Sequence, residues 1–142
     1  MTDQFELLHS DLTEKILHVF FKVVYAELGY GFLEQVYQNA MLIALQSNGV
    51  QVQSQARIPV FFQGAVVGEY FSDLLVDDKV IVELKATSRI LAEHEAQLLN
   101  YLRATPYEVG LLLNFGPKPD IRRKVFANHR KSITWKSILT GR

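Results

Sequence analysis

Apolar positions along this chain follow two periods. In "SDLTEKILHVFFKVVYAEL", Ile16, Val19, Phe20, Val23 and Val24 recur at helical spacing. Ser10 suits an N-cap, and Asp11 suits the positive end of a helix. The pattern stops before Gly29 and Gly31. A second helix is expected from about Phe32 to Ser47, with Leu33, Val36, Tyr37, Ala40, Met41 and Ala44 as its apolar stripe and Gly49 as terminator.

Beyond Gly49 the period changes to alternation. "VQVQSQARIPVFF" and "VVGEYFSDLLV" read as strands around a "QG" turn. "DDK" is the next turn and "VIVELKA" a third strand. Its apolar residues occupy both faces, as a strand covered on both sides requires. Helical spacing returns from Leu91 to about Arg103, through Leu98, Leu99 and Leu102. "YEVGLLLNF" is a further buried strand, "GPKP" breaks the chain, and "IRRKVFAN" fits an edge strand or a short helix, with Val125 and Phe126 favouring the strand. The order α-α-β-β-β-α-β-β predicts an α/β (α+β) fold, a mixed central sheet flanked by helices. Its length of 142 residues predicts a single domain over 1–142.

Composition narrows the chemistry. Without cysteine the chain has no disulfide, zinc–thiolate site, iron–sulfur cluster or thiol nucleophile. The N-terminus resembles neither a signal nor a transit peptide, and runs such as "GLLLNF" are too short to span a bilayer. The expectation is a cytoplasmic protein with no membrane contact. The zero net charge is unevenly spread, with 7 basic and 14 acidic residues up to Gly116 and 8 basic against Asp120 alone from Pro117. That asymmetry fits either a polyanion-binding tail or a solvated face that pairs with the acidic body. The neutral total argues against strong indiscriminate nucleic-acid binding.

"SDLLVDDKVIVELKA" sets three charges in the most apolar part of the chain. Glu83 and Lys85, two apart in a strand, share a face. A three-residue "DDK" loop would oppose Val76 to Val80 and Asp73 to Glu83, gathering all three on that face. A two-residue loop would send Asp73 to the other side. Facing carboxylates repel each other and lose hydration, and a divalent cation such as Mg2+ relieves both costs. Its bound water has a lowered pKa, and a nearby lysine orients that water or offsets developing negative charge. The competing reading is an ion pair of Lys85 with Glu83 or Asp73 at the sheet edge.

"GYGFLEQVYQNAM" has Gly31, Glu34 and Tyr37 in the pattern G-x-x-E-x-x-Y. Followed by Asp73 and by E-x-K at Glu83 and Lys85, it resembles the GxxExxY family, a branch of the PD-(D/E)xK nuclease-like superfamily. The similarity runs from about Leu12 through "GLLLNFG". It implies a restriction-endonuclease-like αβββαβ core and a Mg2+- or Mn2+-dependent nuclease acting on nucleic acid, DNA in the first place. By the same resemblance Asp73 and Glu83 would hold the metal, with the Leu84 carbonyl as an extra ligand. Glu34 would complete the site directly or through water, and Lys85 would activate the attacking water. Ser72 stands where the superfamily name has proline, a loosely held position.

Gln97 and Tyr101, at i and i+4, are similar to the Q-x-x-x-Y helix motif of RecB-like nucleases, which implies catalytic and substrate-contacting roles. Arg122, Arg123 and Lys124 are candidates for guiding a nucleic-acid backbone. Tyr37 reads at least as well as an aromatic of the apolar stripe as it does as a site residue, and a lone histidine such as His94 is more often a surface or structural residue. Two alternatives stand beside the nuclease: a non-catalytic nucleic-acid- or protein-binding module on the same fold, and an assembly protein. In the latter "VFFQGAVVGEYF" would supply a homodimer or partner interface, core burial being the commoner fate of such residues.

Overall fold

The computed structural model describes residues 8–132. Helix α1 (Ser10–His18) runs through a π-helical stretch (Val19–Val24) into α2 (Tyr25–Leu28), and α3 spans Glu34–Ser47. Strands β1 (Val52–Phe62), β2 (Ala65–Val76) and β3 (Val80–Lys85) precede α4 (Ala92–Ala104). Strands β4 (Val109–Asn114) and β5 (Asp120–Val125) and a 3-10 turn (Asn128–Arg130) follow. The expected order is found, including β5 at the sheet edge.

The helix starts differ from expectation. Ser10 is already helical, and the N-cap is His9, at φ 56°. Helix α3 begins at Glu34 rather than Phe32, because the preceding residues form a loop held from inside. The π-helical stretch, closed by the Tyr25 N–H donating to the Phe20 carbonyl, allows Val19, Phe20 and Val24 all to be buried.

The five strands lie in the order β1-β2-β3-β4-β5. Every pairing is antiparallel except β3 with β4. The parallel step needs a crossover connection, which α4 provides. Val80, Val82, Leu84, Leu111 and Leu113 face α1 to α3, in one core with Ile16, Phe20, Tyr37 and Met41. Ile81 and Leu112 face α4, with Leu98 and Leu102. Strands β3 and β4 are thus apolar on both sides because helices cover both. Helix α4 sits close on β4: a Cβ at Gly110 would lie 2.7 Å from Leu98 Cδ1.

Strands β1 and β2 run on as a hairpin to Phe62 and Ala65, well beyond the last β2–β3 pair, Leu74 with Val82. Among the described residues no third strand supports this end, so Phe62, Val66, Val67, Tyr70 and Phe71 are exposed there instead of entering the core. The hairpin also changes sides. Val52 and Leu74 belong to the α3-side core, whereas Ala56 and Ile58 belong to the α4-side core. Gln55, at φ 54°, lies between them and directly beside the Asp73 position.

Candidate functional site

The loop between β2 and β3 contains Asp77, Asp78 and Lys79. Asp77 and Asp78 take positive φ of 52° and 53°, and the Lys79 N–H donates to the Val76 carbonyl at 3.0 Å. Val76 therefore opposes Val80, and the register runs through Leu75–Ile81 to Leu74–Val82. One step further, Asp73 comes opposite Glu83. Backbone pairing ends there and the side chains take over. The Asp73 N–H donates to Glu83 Oε1 at 3.0 Å, and the Leu84 N–H donates to Asp73 Oδ2 at 2.7 Å.

Burial makes the pair electrostatically costly. Glu83 is only 6% exposed. Loss of hydration, then the neighbouring Asp73 charge, pushes its carboxyl up to about 8. Asp73 is raised as well, first by burial and further by Glu34, while the Leu84 N–H and Lys85 oppose the rise. The Lys85 ammonium thus acts on both carboxylates, yet it forms no ion pair with either. The simple ion-pair reading of the trio loses its geometric basis. Lys85 is held from the other side: its carbonyl accepts from the Phe115 N–H at 2.7 Å.

The G-x-x-E-x-x-Y pattern has a local explanation. Gly31 sits at φ 108°, a conformation that a side chain would strain. Tyr37 is fully buried and stacks on Phe115 with ring centroids 4.0 Å apart. Its hydroxyl donates to the Gly29 carbonyl at 2.8 Å and accepts from the Phe32 N–H at 3.2 Å. Tyr37 therefore ties the α2–α3 loop to the core and sets where α3 begins. Glu34, in that first turn, is exposed, and its charge reaches Asp73 and Glu83.

On α4, His94 is a cap: its Nδ1 accepts from the Leu91 N–H at 3.0 Å. Gln97 and Tyr101 line one cleft together with Tyr70 of the hairpin. Tyr70 and Tyr101 meet with ring centroids 5.6 Å apart. Burial, then the charges of Glu83 and Asp73, push the Tyr101 hydroxyl up to about 12. Nothing comparable ties Gln97 to the pair.

The basic residues of β5 do not form one patch. Successive strand residues point to opposite faces. Arg122 pairs with Asp120 at 2.9 Å and Glu95 at 3.7 Å, and Lys124 pairs with Glu95 at 2.6 Å. Arg123 instead donates to the Leu8 carbonyl at 2.7 Å. The part of the basic tail at 133–142 lies outside the described residues.

The donor set fits a hard divalent cation. Asp73 and Glu83 offer carboxylate oxygens on one face, and their mutual repulsion is what a cation relieves. Leu84 N–H points toward β2, and in a strand the same residue's carbonyl points the same way, toward Asp73. Among the described residues, however, no three acidic or histidine side chains gather closely enough to hold an ion by themselves. Glu34 does not close on the pair as a third ligand, although its charge acts on both carboxylates.

Three residues were not singled out from sequence. Tyr70 lay in an alternating strand with nothing to mark it. Glu95 holds Arg122 and Lys124 only through the fold. Asn114 did carry a signal, as a polar residue in the apolar run "GLLLNF". Buried at 1% exposure, its side chain accepts from the Thr87 N–H at 3.0 Å and donates to the Thr87 carbonyl at 3.1 Å, fixing the chain just after Lys85.

This arrangement has relatives. No curated protein sequence matches the chain. A solved structure titled "Crystal structure of SSO0001" is similar in fold, with a TM-score of 0.54 at 16% identity over 85% of this chain. The match spans 61% of that longer protein. Among the described residues no helix is long and apolar enough to cross a membrane. The sequence profile of the PD-(D/E)XK nuclease superfamily matches residues 10–124, which hold both helical layers, β1 to β4, β5 up to Lys124 and the Asp73–Glu83 pair. The chain belongs to the PD-(D/E)XK nuclease superfamily.

Proposed function

We propose that this chain is a Mg2+- or Mn2+-dependent nuclease that hydrolyses phosphodiester bonds, of DNA in the first place. The observation that carries the reading is the cross-strand bonding of Asp73 and Glu83, two partly or wholly buried carboxylates on one face with no cationic side chain among the described residues in contact. Buried charges are retained at such cost chiefly where they bind something.

Asp73, Glu83 and the Leu84 carbonyl would hold the cation, with Glu34 reaching it through water. The ion supplies charge neutralisation and a water of lowered pKa. Lys85 orients the attacking water by hydrogen bonding and offsets the negative charge that develops on the phosphoryl oxygens. The apolar flanks of β3 restrict solvent around the pair, which strengthens each of these interactions. Tyr101 and Gln97, on one face of α4, contact the substrate strand.

A second reading has its own support. Each carboxylate already accepts a backbone hydrogen bond, and no third acid closes on the pair among the described residues. A non-catalytic nucleic-acid-binding module would need no more. Incubating plasmid and single-stranded DNA with Mn2+ and either the wild type or Lys85→Ala separates the two. The nuclease reading expects cleavage that Lys85→Ala abolishes. Strand binding without cleavage in any divalent ion would establish the module instead.

A further inference from the structure

The cleft between the β1–β2 hairpin and α4 has a lining unlike that of a phosphate groove. Its volume of about 470 Å3 falls within the range of roughly 300–1,000 Å3 typical of small-molecule sites. Tyr70 and Tyr101 form its aromatic part, with ring planes inclined at 48°. Tyr70 is 48% exposed, so much of its ring is open to the cleft and solvent. The polar lining comprises two amides, Gln97 and Asn100, one acid, Glu93, and one base, Arg103.

Phosphate calls for an excess of cationic donors, and here Glu93 offsets Arg103. A neutral, flat heterocycle suits the lining better. Its π face stacks on tyrosine. The amides present both donors and acceptors to its edge, and an ionised Glu93 accepts from an amino or imino group. Tyr101 also packs in one core with Leu75 and Ile81, each two residues along its strand from Asp73 or Glu83, so the cleft and the carboxylate pair share one face of the sheet.

We propose that this cleft is a nucleobase pocket. It takes one unstacked base of a single-stranded or locally opened nucleic acid and holds it beside the phosphodiester presented to Asp73 and Glu83. The inference rests on the nuclease reading and adds a substrate class to it. Placing a base here requires that base to leave its stack, which costs least where it is unpaired, mismatched or already single-stranded. The pocket therefore selects against intact duplex.

Binding, rather than cleavage, tests it. Fluorescence anisotropy is measured in Mg2+ on the full chain carrying Lys85→Ala, with two short strands of equal length. One is single-stranded DNA of mixed sequence; the other has each base replaced by an abasic tetrahydrofuran. Adding Tyr70→Ala is expected to weaken the mixed-sequence strand about 10-fold or more, the scale of one lost base–aromatic stack. The abasic strand should be unaffected, and Tyr70→Phe should restore affinity. A 5-iodouracil strand should crosslink on irradiation to the peptide containing Tyr70. Equal loss for both strands, loss for neither, or no binding of either overturns the pocket. Wild-type Mn2+ cleavage of the mixed-sequence strand, run in parallel, tells whether the nuclease reading falls with it: retained cleavage removes the pocket alone.

Discussion

Asp73 and Glu83 bond to each other's strands through their side chains, with the Asp73 N–H on Glu83 Oε1 and the Leu84 N–H on Asp73 Oδ2. The two carboxylates thereby replace the ladder hydrogen bonds that β2 and β3 would otherwise make. Their oxygens are fixed by backbone rather than by flexible partners, which is the preorganisation a metal site requires.

Calorimetry with Mg2+ and Mn2+ should show binding to the wild type and its loss in Asp73→Ala and Glu83→Ala. Lys85→Ala should bind the ion and fail to cleave DNA. Equal, negligible heats in all the proteins would remove the metal site from consideration.

Stability of the metal-free protein should fall as pH rises. Glu83 titrates near 8 when folded and near 4.5 when unfolded. Between those values the folded chain binds more protons, so raising pH favours unfolding. Asp73, also raised, acts in the same direction. Thermal melts from pH 5 to about 8 should show a declining Tm, and Glu83→Gln should flatten the decline. Saturating Mg2+ should stabilise the wild type most at the alkaline end, where both carboxylates are ionised. A Tm that rises with pH in the metal-free wild type would contradict this account.

Tyr37→Phe should cost about 1–3 kcal/mol in urea unfolding, because the Gly29 carbonyl and Phe32 N–H lose their shared partner. It should also lower cleavage, since the start of α3 is no longer tied down and Glu34 loses its position. A stability loss with full activity would make Tyr37 structural only.

Gly110→Ala should destabilise by about 1–3 kcal/mol, as the added methyl meets Leu98 in a filled core. Gly110→Ala should cost less in a Leu98→Ala background if the clash is its cause. Denaturant midpoints of the two single variants and the double variant give the coupling directly.

Glu95→Gln releases Arg122 and Lys124 from their shared partner. If β5 borders the nucleic-acid path, affinity should rise severalfold, and the slope of log K against log salt should steepen by about 1. An unchanged slope would place β5 away from the substrate.

Much was legible in the sequence because it was local. Alternation and helical spacing report which side of an element is buried, and the three-residue "DDK" loop carries the β2–β3 register, since a turn and its first pairs involve neighbours only. Asp73 opposite Glu83 follows from those neighbours. The hydrophobic pattern likewise marked β3 and β4 as covered on both faces.

Other features depended on contacts between distant segments. Tyr37 on Phe115, Asn114 on Thr87, Glu95 on Lys124 and Tyr70 on Tyr101 each join separate elements. Periodicity gives the buried side of an element but not what it packs against. That is why Tyr37 proved to be a loop clamp, His94 a cap, and the basic residues of β5 a divided set. The hairpin end is exposed because β3, at six residues, pairs with only the last part of the twelve-residue β2, and the side change falls at Gln55, at φ 54°. The sequence alone determined the elements and the charged hairpin within them. Only tertiary packing decided that Glu34 does not close on the carboxylate pair and that Tyr70 joins Tyr101, because helix docking depends on side-chain shape across the whole core.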